Sequence, residues 1–236
     1  MATKVTLLIF TLNELEGMKT IMPRINNDWV DEILVVDGGS TDGTIEWAER
    51  NGYKVYVQKR EGIRHAYSES LSLITGDTII TFSPDGNSIP ELIPDLVEKM
   101  SEGNDMVIAS RYLGTAKSDD DGIITGLGNW FFTRSVNVLH GGNYTDAMVI
   151  YRAYRKQIFY DLELDHDDGY KIPEKLFFTN MGLEPLLSVR ALKRKLRIAE
   201  IPGDEPERIG GESKLQKFRW GAAYYFQFIW ELFFWK

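Results

Sequence analysis

The chain predicts an α/β fold, a mostly parallel sheet with helices on both faces. Two observations carry this. Short β-branched or apolar runs recur at residues 4–10, 32–36, 54–58, 77–82 and 105–109. The segments between them carry the spaced apolar residues of amphipathic helices. Strands that alternate with helices cross over and return parallel, which buries both sheet faces. Ligands on such sheets sit at the carboxyl ends of the strands.

The elements follow in order. The first strand, 4–10, leads to a helix over 14–26. The second, 32–36, ends at Asp37, and Gly38-Gly39-Ser40-Thr41-Asp42-Gly43 turns into a helix starting near Thr41 or Asp42. A strand at 54–58 precedes a helix at 63–74. After strand 77–82 comes a loop, 83–88, then a helix over 90–100 with Pro90 in its first turn. The second half is less regular. It predicts helix 126–139, strand 147–151, helix 183–195, strand 197–201 and a helical, aromatic segment at 214–235. No repeat, low-complexity tract or domain linker interrupts it. The domain reading is a body of residues 1–213 and a C-terminal helix of 214–236.

Composition narrows the function. The 236 residues contain no cysteine, which excludes disulfides, thiolate catalysis and cysteine-based zinc sites. The absence of cysteine suits a reducing compartment, and Met1-Ala2-Thr3-Lys4 lacks the layout of a signal peptide. A net charge of −8 argues against nucleic acid as a partner. Residues 190–219 reverse that balance, with nine Lys/Arg against five Asp/Glu. Beside them, residues 218–235 hold ten of the chain's 29 aromatics. A spanning helix needs ~20 mostly apolar residues, and Gln227 and Glu231 interrupt this run. Two readings of it stand open. It lies on a membrane surface, where Trp and Tyr settle at headgroup level, or it packs on the core or a second subunit.

Four constellations can carry chemistry, the first three at strand ends. Asp37, followed by Gly38 and Gly39, can accept hydrogen bonds from a base or ribose, and glycines let a ligand approach the backbone. Ser83-Pro84-Asp85-Gly86-Asn87 ends a strand with one carboxylate and one amide, oxygen donors of the kind hard cations take. Ser110-Arg111-Tyr112 follows the next strand. Arg208-Ile209-Gly210-Gly211-Glu212-Ser213-Lys214 sets two cations around glycines, a pattern suited to phosphate. Arg64 or His65, opening a helix, could touch a donor phosphate. His65, His140 and His166 do not pair at metal-ligand spacing.

The series resembles family-2 glycosyltransferases over roughly residues 4–215. Val35-Val36-Asp37-Gly38-Gly39-Ser40-Thr41-Asp42-Gly43-Thr44 resembles that family's VVDDGSTDGT signature, with Gly38 in place of its second Asp. Thr11-Leu12-Asn13-Glu14 resembles the preceding T-x-N-E loop. Ser83-Pro84-Asp85 stands where the family has D-x-D, and Pro90-Glu91-Leu92-Ile93 resembles its P-E-x-I. Residues 110–112, 151–155 and 208–214 resemble the S-R-Y, F-R-x-Y-R and R-x-x-G-x-S-K of the dolichyl-phosphate mannose and glucose synthase branch. Asp146 and Glu184 stand where the family has acidic residues.

The resemblance implies a GT-A-type, Rossmann-like fold and an inverting hexosyl transfer from a nucleotide-sugar donor. It places the donor on Thr11, Leu12, Asn13, Glu14, Asp37, Gly38, Arg64, Pro84 and Asp85. It implies Mg²⁺ or Mn²⁺ on Asp85 and Asn87, weakened by Ser83. Arg111, Arg208 and Lys214 would face the leaving diphosphate. A polyprenyl phosphate acceptor needs no general base, whereas a sugar hydroxyl needs one, from Asp146 or Glu184. The lipid phosphate is preferred, at the inner face of a membrane on the cytoplasmic side. The alternatives are an enzyme extending a polysaccharide or lipid-linked oligosaccharide, and a nucleotide-binding protein with a degraded site, motivated by Ser83 and Gly38. A sugar nucleotidyltransferase would need a glycine-rich phosphate loop with a basic residue, which 10–14 lacks. Donor base, sugar and oligomeric state stay open.

Overall fold

The computed structural model describes residues 3–209 and 217–235. The first half runs β1 (Val5–Thr11), α1 (Leu15–Ile21), β2 (Glu32–Asp37), α2 (Thr44–Arg50), β3 (Lys54–Val57), α3 (Ile63–Ser70), β4 (Thr78–Phe82), α4 (Ile93–Ser101) and β5 (Met106–Ser110). The second runs α5 (Ile123–His140), β6 (Arg152–Arg155), α6 (Ile158–Asp161), α7 (Asp168–Phe177), α8 (Glu184–Lys193), β7 (Ile198–Pro202) and α9 (Lys217–Phe234). Seven strands form one sheet in the order β3-β2-β1-β4-β6-β5-β7. All are parallel except β6, which runs antiparallel to both β4 and β5.

The central strands are buried on both faces, as their unbroken apolar runs require. From β1 the chain passes to β2 and β3 on one side, then to β4 on the other. That reversal opens a crevice beyond the ends of β1 and β4, where a doubly wound sheet binds its ligand. Helix α1 sits hard against it. A Cβ on Gly17 would lie 2.4 Å from the carbonyl oxygen of Pro84, so only glycine lets α1 approach the loop after β4.

The expected strand at 147–151 is a correction: the strand is β6, at Arg152–Arg155. Side chains take the backbone groups of 147–149 that a ladder would have used. Thr133 Oγ1 accepts from Ala147 N, Asp146 Oδ1 accepts from Met148 N and Val149 N, and the Arg152 guanidinium donates to the carbonyls of Val149 and Ala147. Helix α2 starts at Thr44, later than expected. The Asp42 carboxylate accepts from Thr44 N and Thr44 Oγ1, a turn that holds the chain out of the helix up to Gly43, which takes φ +97°.

Helices α6 and α7 are not foreseen by the sequence reading. Pro173 lies inside α7, a position where proline normally breaks a helix. Proline leaves the carbonyl four residues back without its helical donor, here Gly169. Gln227 of α9 supplies one, with Nε2 2.8 Å from Gly169 O.

Helix α9 packs on α5, α7 and α8. Ala223, Tyr224, Gln227, Phe228 and Glu231 face inward. Glu231 is held bidentately by Arg190 of α8, with Nε to Oε2 at 2.9 Å and Nη2 to Oε1 at 3.0 Å. Trp235 lies under the guanidinium groups of Arg190 and Arg194. One side of the aromatic segment therefore belongs to the core. The opposite side is open, with Tyr225, Ile229, Leu232, Phe233 and Phe234 exposed.

Candidate active site

The loops after β1 and β2 are sewn together by their own polar groups. Asn13 N donates to Ser40 Oγ, Thr41 N to Asn13 Oδ1, Glu14 N to Thr44 Oγ1 and Leu15 N to Asp42 Oδ2. Asn13 takes φ +56°, which asparagine tolerates better than most residues. Asp37 is fully buried. Its carboxylate accepts from Thr11 Oγ1, Gly39 N, Ser40 N and Ser40 Oγ, at 2.7 to 2.8 Å. The side chain expected to read the nucleoside is thus saturated by its own loop, which it shapes. The cleft wall beside it consists of Leu12, Glu14 and Gly38. A Cβ on Gly38 would meet Leu12 at 3.3 Å.

The loop after β4 carries Asp85, 4% exposed. Its Oδ1 accepts from Asn87 N at 3.1 Å. Residues 203–209, entering from β7, close over it. Ile209 N donates to Asp85 O at 2.6 Å, and Asn87 Nδ2 donates to Pro206 O at 2.9 Å. Gly86 takes φ +98° beneath Ile209, where a Cβ would meet Ile209 Cγ1 at 2.8 Å. Arg208 Nη1 then lies 2.5 Å from Asp85 Oδ2 and 3.9 Å from Glu14 Oε1. Arg208 Nε is buried without a hydrogen-bond partner among the described residues. Two expected site residues far apart in sequence are thus brought together. Lys214 lies outside the described residues.

Arg111 lines the cleft but is tied from behind. Its Nε and Nη2 grip Asp146 at 2.6 and 3.1 Å. Its Nη1 lies 3.2 Å from Glu205 Oε2 and 3.7 Å from Asp121 Oδ2. Burial alone would push the Asp146 carboxyl up. The charge and hydrogen bonds of Arg111 win and hold it below the usual range. For Glu205 burial wins, and its carboxyl is pushed up. Asp146 is fully buried and paired, so it cannot take a proton from an acceptor in the cleft. That corrects its reading as a general base. Sequence reasoning missed Asp121 and Glu205. The one available signal for Glu205 is its place just past the carboxyl end of β7.

Glu184, the first residue of α8, does line the cleft. Tyr67 Oη donates to its Oε1 at 2.8 Å. Burial, and then Glu184 itself, push the Tyr67 hydroxyl well above its ordinary range, so it stays a donor. Arg64 is a further correction. It turns from the cleft to α7, paired with Asp167 and Glu174 and lying over the Tyr170 ring. Pro84 is buried behind its loop.

These elements bound one cleft of about 1600 Å³. Asp119, Asp120, Asp121, Asp204, Glu205 and Glu207 line it, and Arg111 and Arg208 are its cations among the described residues. Another part of its wall is apolar: Ile124, Phe131 and Phe132 of α5 stand beside Trp220 and Tyr225 of α9. No group of three or more acidic or histidine side chains among the described residues is arranged to hold a metal. Asp85 and Asn87 fit a divalent cation on narrower terms. They offer one carboxylate and one amide, the ligand's own oxygens must complete the shell, and Asp85 already faces a positive group in Arg208.

A model described as Glycosyl transferase family 2 matches residues 7–163. An undecaprenyl-phosphate mannosyltransferase of Micrococcus luteus is 30% identical, over 93% of this chain and 95% of its own. A dolichyl-phosphate hexose transferase of Haloferax volcanii is 28% identical, over 90% of this chain and 87% of its own. Among solved structures, glucosyl-3-phosphoglycerate synthase of Mycobacterium tuberculosis, in complex with Mn²⁺, uridine diphosphate and phosphoglyceric acid, superposes with a TM-score of 0.67. It is 20% identical and covers 98% of this chain and 78% of its own. That likeness speaks for the fold alone.

Proposed function

The chain belongs to glycosyl transferase family 2, and we propose that it moves a sugar from a nucleotide-sugar donor to a polyprenyl phosphate at a membrane surface. The observation that carries the acceptor is the two-sided cleft. Its polar side is built from Glu14, Gly38, Asp85 and Arg208 and suits a nucleotide diphosphate. Its other side, Ile124, Phe131, Phe132, Trp220 and Tyr225, suits a hydrocarbon chain. The relatives named for undecaprenyl and dolichyl phosphates support the same reading.

The reaction is an in-line displacement. An acceptor phosphate oxygen attacks the anomeric carbon, a new C–O bond forms, the bond to the diphosphate breaks, and the nucleoside diphosphate leaves. The nucleophile is already an anion, so no proton has to be removed. That agrees with Asp146 being closed off by Arg111. Arg208 places positive charge where the leaving group gathers negative charge, an electrostatic role. A divalent cation on Asp85, with Asn87 beside it, would neutralise the diphosphate in a cleft whose charged lining is mostly acidic. Thr11, Asn13 and Asp37 act by shaping the loops that receive the nucleoside. Among the described residues no helix is long and apolar enough to cross a membrane, which suits attachment from one side.

The test is transfer from UDP-, GDP- and CDP-sugars, with and without Mn²⁺, to a short-chain polyprenyl phosphate and to oligosaccharide acceptors. Mass of the product identifies the acceptor. A glycosylated oligosaccharide without lipid product would replace this reading by hydroxyl transfer. Glu184, which lines the cleft, would then be the base. Nucleotide binding without transfer to either acceptor would leave a binding protein.

A further inference from the structure

We propose that α5 and α9 together form a docking platform for an anionic bilayer, with α5 as its principal inserted element. This rests on the lipid-acceptor reading for its purpose, but not for its evidence. Helix α5 is apolar on both sides. Thr133 and Val136 enter the core, while Ile123, Ile124, Leu127, Trp130 and Val138 are 85, 69, 62, 66 and 68% exposed. A helix with large apolar side chains on its outer as well as its inner face is expected to have both faces covered. This one lies on the surface, so its outer side needs a cover. The open side of α9 continues it. Phe131 and Tyr225 meet at 5.4 Å between ring centroids, and a Cβ on Gly221 would lie 3.1 Å from Phe132, so the helices touch closely.

Charge identifies the cover. Arg134 projects among the exposed apolar residues of α5 and has no ion pair among the described residues. On α9, Arg219 is exposed and the one carboxylate, Glu231, is buried on Arg190. Neither outward face presents a carboxylate. An anionic lipid surface complements such a face, and an arginine within it can reach headgroup phosphates while its stem stays in apolar surroundings. A second copy fits poorly, because pairing this face with itself would join two surfaces that carry arginine and no acid. Position agrees as well. Ile124, Phe131 and Tyr225 belong both to this region and to the cleft wall, so a bilayer on the platform meets the cleft from its apolar side. A protein partner there would close that side.

The experiment is flotation of the full chain with vesicles lacking any polyprenyl phosphate, of phosphatidylcholine alone or with phosphatidylglycerol. Leu127→Glu/Trp130→Glu changes two exposed side chains outside the cleft. Val138→Glu is an independent third change. The wild type is expected to float with the anionic vesicles. The double variant should lose at least tenfold in bound fraction while it releases nucleoside diphosphate from the donor at the wild-type rate. Arg134→Gln should weaken flotation on anionic vesicles only. A wild type that stays at the bottom with every vesicle overturns the proposal, as do a double variant and a Val138→Glu that both float normally. A wild-type dimer in light scattering that the double variant converts to monomer assigns the platform to a second copy and overturns it too. Flotation without transfer to polyprenyl phosphate in detergent would sink the acceptor reading and leave the platform standing.

Discussion

Arg208 Nη1 lies 2.5 Å from Asp85 Oδ2. The loop leaving β7 sets a guanidinium on the carboxylate at the end of β4, with Ile209 N and Pro206 O fastening the two loops. In the proposed function the donor and its cation would share this carboxylate with Arg208, and the first two predictions separate them.

Asp85→Ala removes the cation ligand and the partner of Arg208 together. Losing a hydrogen bond to a charged group costs about 1.5–3 kcal/mol, so kcat/KM for transfer should fall by at least about tenfold. Circular dichroism should stay that of the wild type, because Asp85 sits in a loop. Wild-type turnover would remove Asp85 from the site.

Arg208→Ala frees Asp85 from its resident positive charge. Mn²⁺ should bind the variant more tightly by calorimetry, while donor KM rises about tenfold from the loss of a charged phosphate contact. EDTA should stop both proteins. A wild type indifferent to EDTA would shift the neutralising role to Arg208.

Arg111→Ala leaves Asp146 buried and unpaired. Breaking a buried ion pair costs about 3–5 kcal/mol, or roughly 6–20 °C in Tm for a chain of this size. Arg111→Lys should rescue little, since a single ammonium cannot replace the two-pronged contact. A Tm within about 2 °C of the wild type, the shift for less than about 1 kcal/mol, would show that the cluster is not structural.

Glu32 gives a pH signature. Burial alone raises its carboxyl, but hydrogen bonds from Thr75 N, Thr6 Oγ1, Lys54 Nζ and Thr75 Oγ1 prevail and hold it at about 2, below its ordinary 4.5. A depressed folded value means the contribution is present above pH 4.5 and is lost as pH falls towards 2. Urea midpoints between those limits should decline less steeply in Glu32→Gln than in the wild type.

Glu231→Ala strands Arg190 in the interior and should lower stability by about 3–5 kcal/mol. Deleting residues 220–236 should likewise give unfolded or insoluble protein, because α9 closes α7 and α8. A folded, soluble truncation would restore the view of this segment as a detachable appendage.

Much of this was legible in the sequence. The strand-helix alternation of 4–110, the loops at 11–14 and 83–88, and the placement of Asp85 and Glu184 need only local patterning and motif order. Other features were hidden because their causes are distant in sequence. Strand 147–151 reads correctly by propensity, yet Asp146, Thr133 and Arg152 claim its backbone. Arg64 and Arg111 look like phosphate ligands until their carboxylate partners on α7 and beyond α5 are in place. Helix α7 carries a proline that only a side chain from α9 makes tolerable.

The sequence by itself determined the sheet class, the family and the run of motifs at strand ends, because periodicity and short motifs are local properties of the chain. Tertiary structure alone decided which charges are available. Asp37 and Asp146 are saturated and Arg64 is turned away, whereas Arg208 and Asp85 meet. It also decided that α9 is half core and half surface. Burial and pairing depend on what the fold brings to within hydrogen-bond distance, and residues such as Gln227 and Gly169, or Arg111 and Glu205, acquire their roles only there.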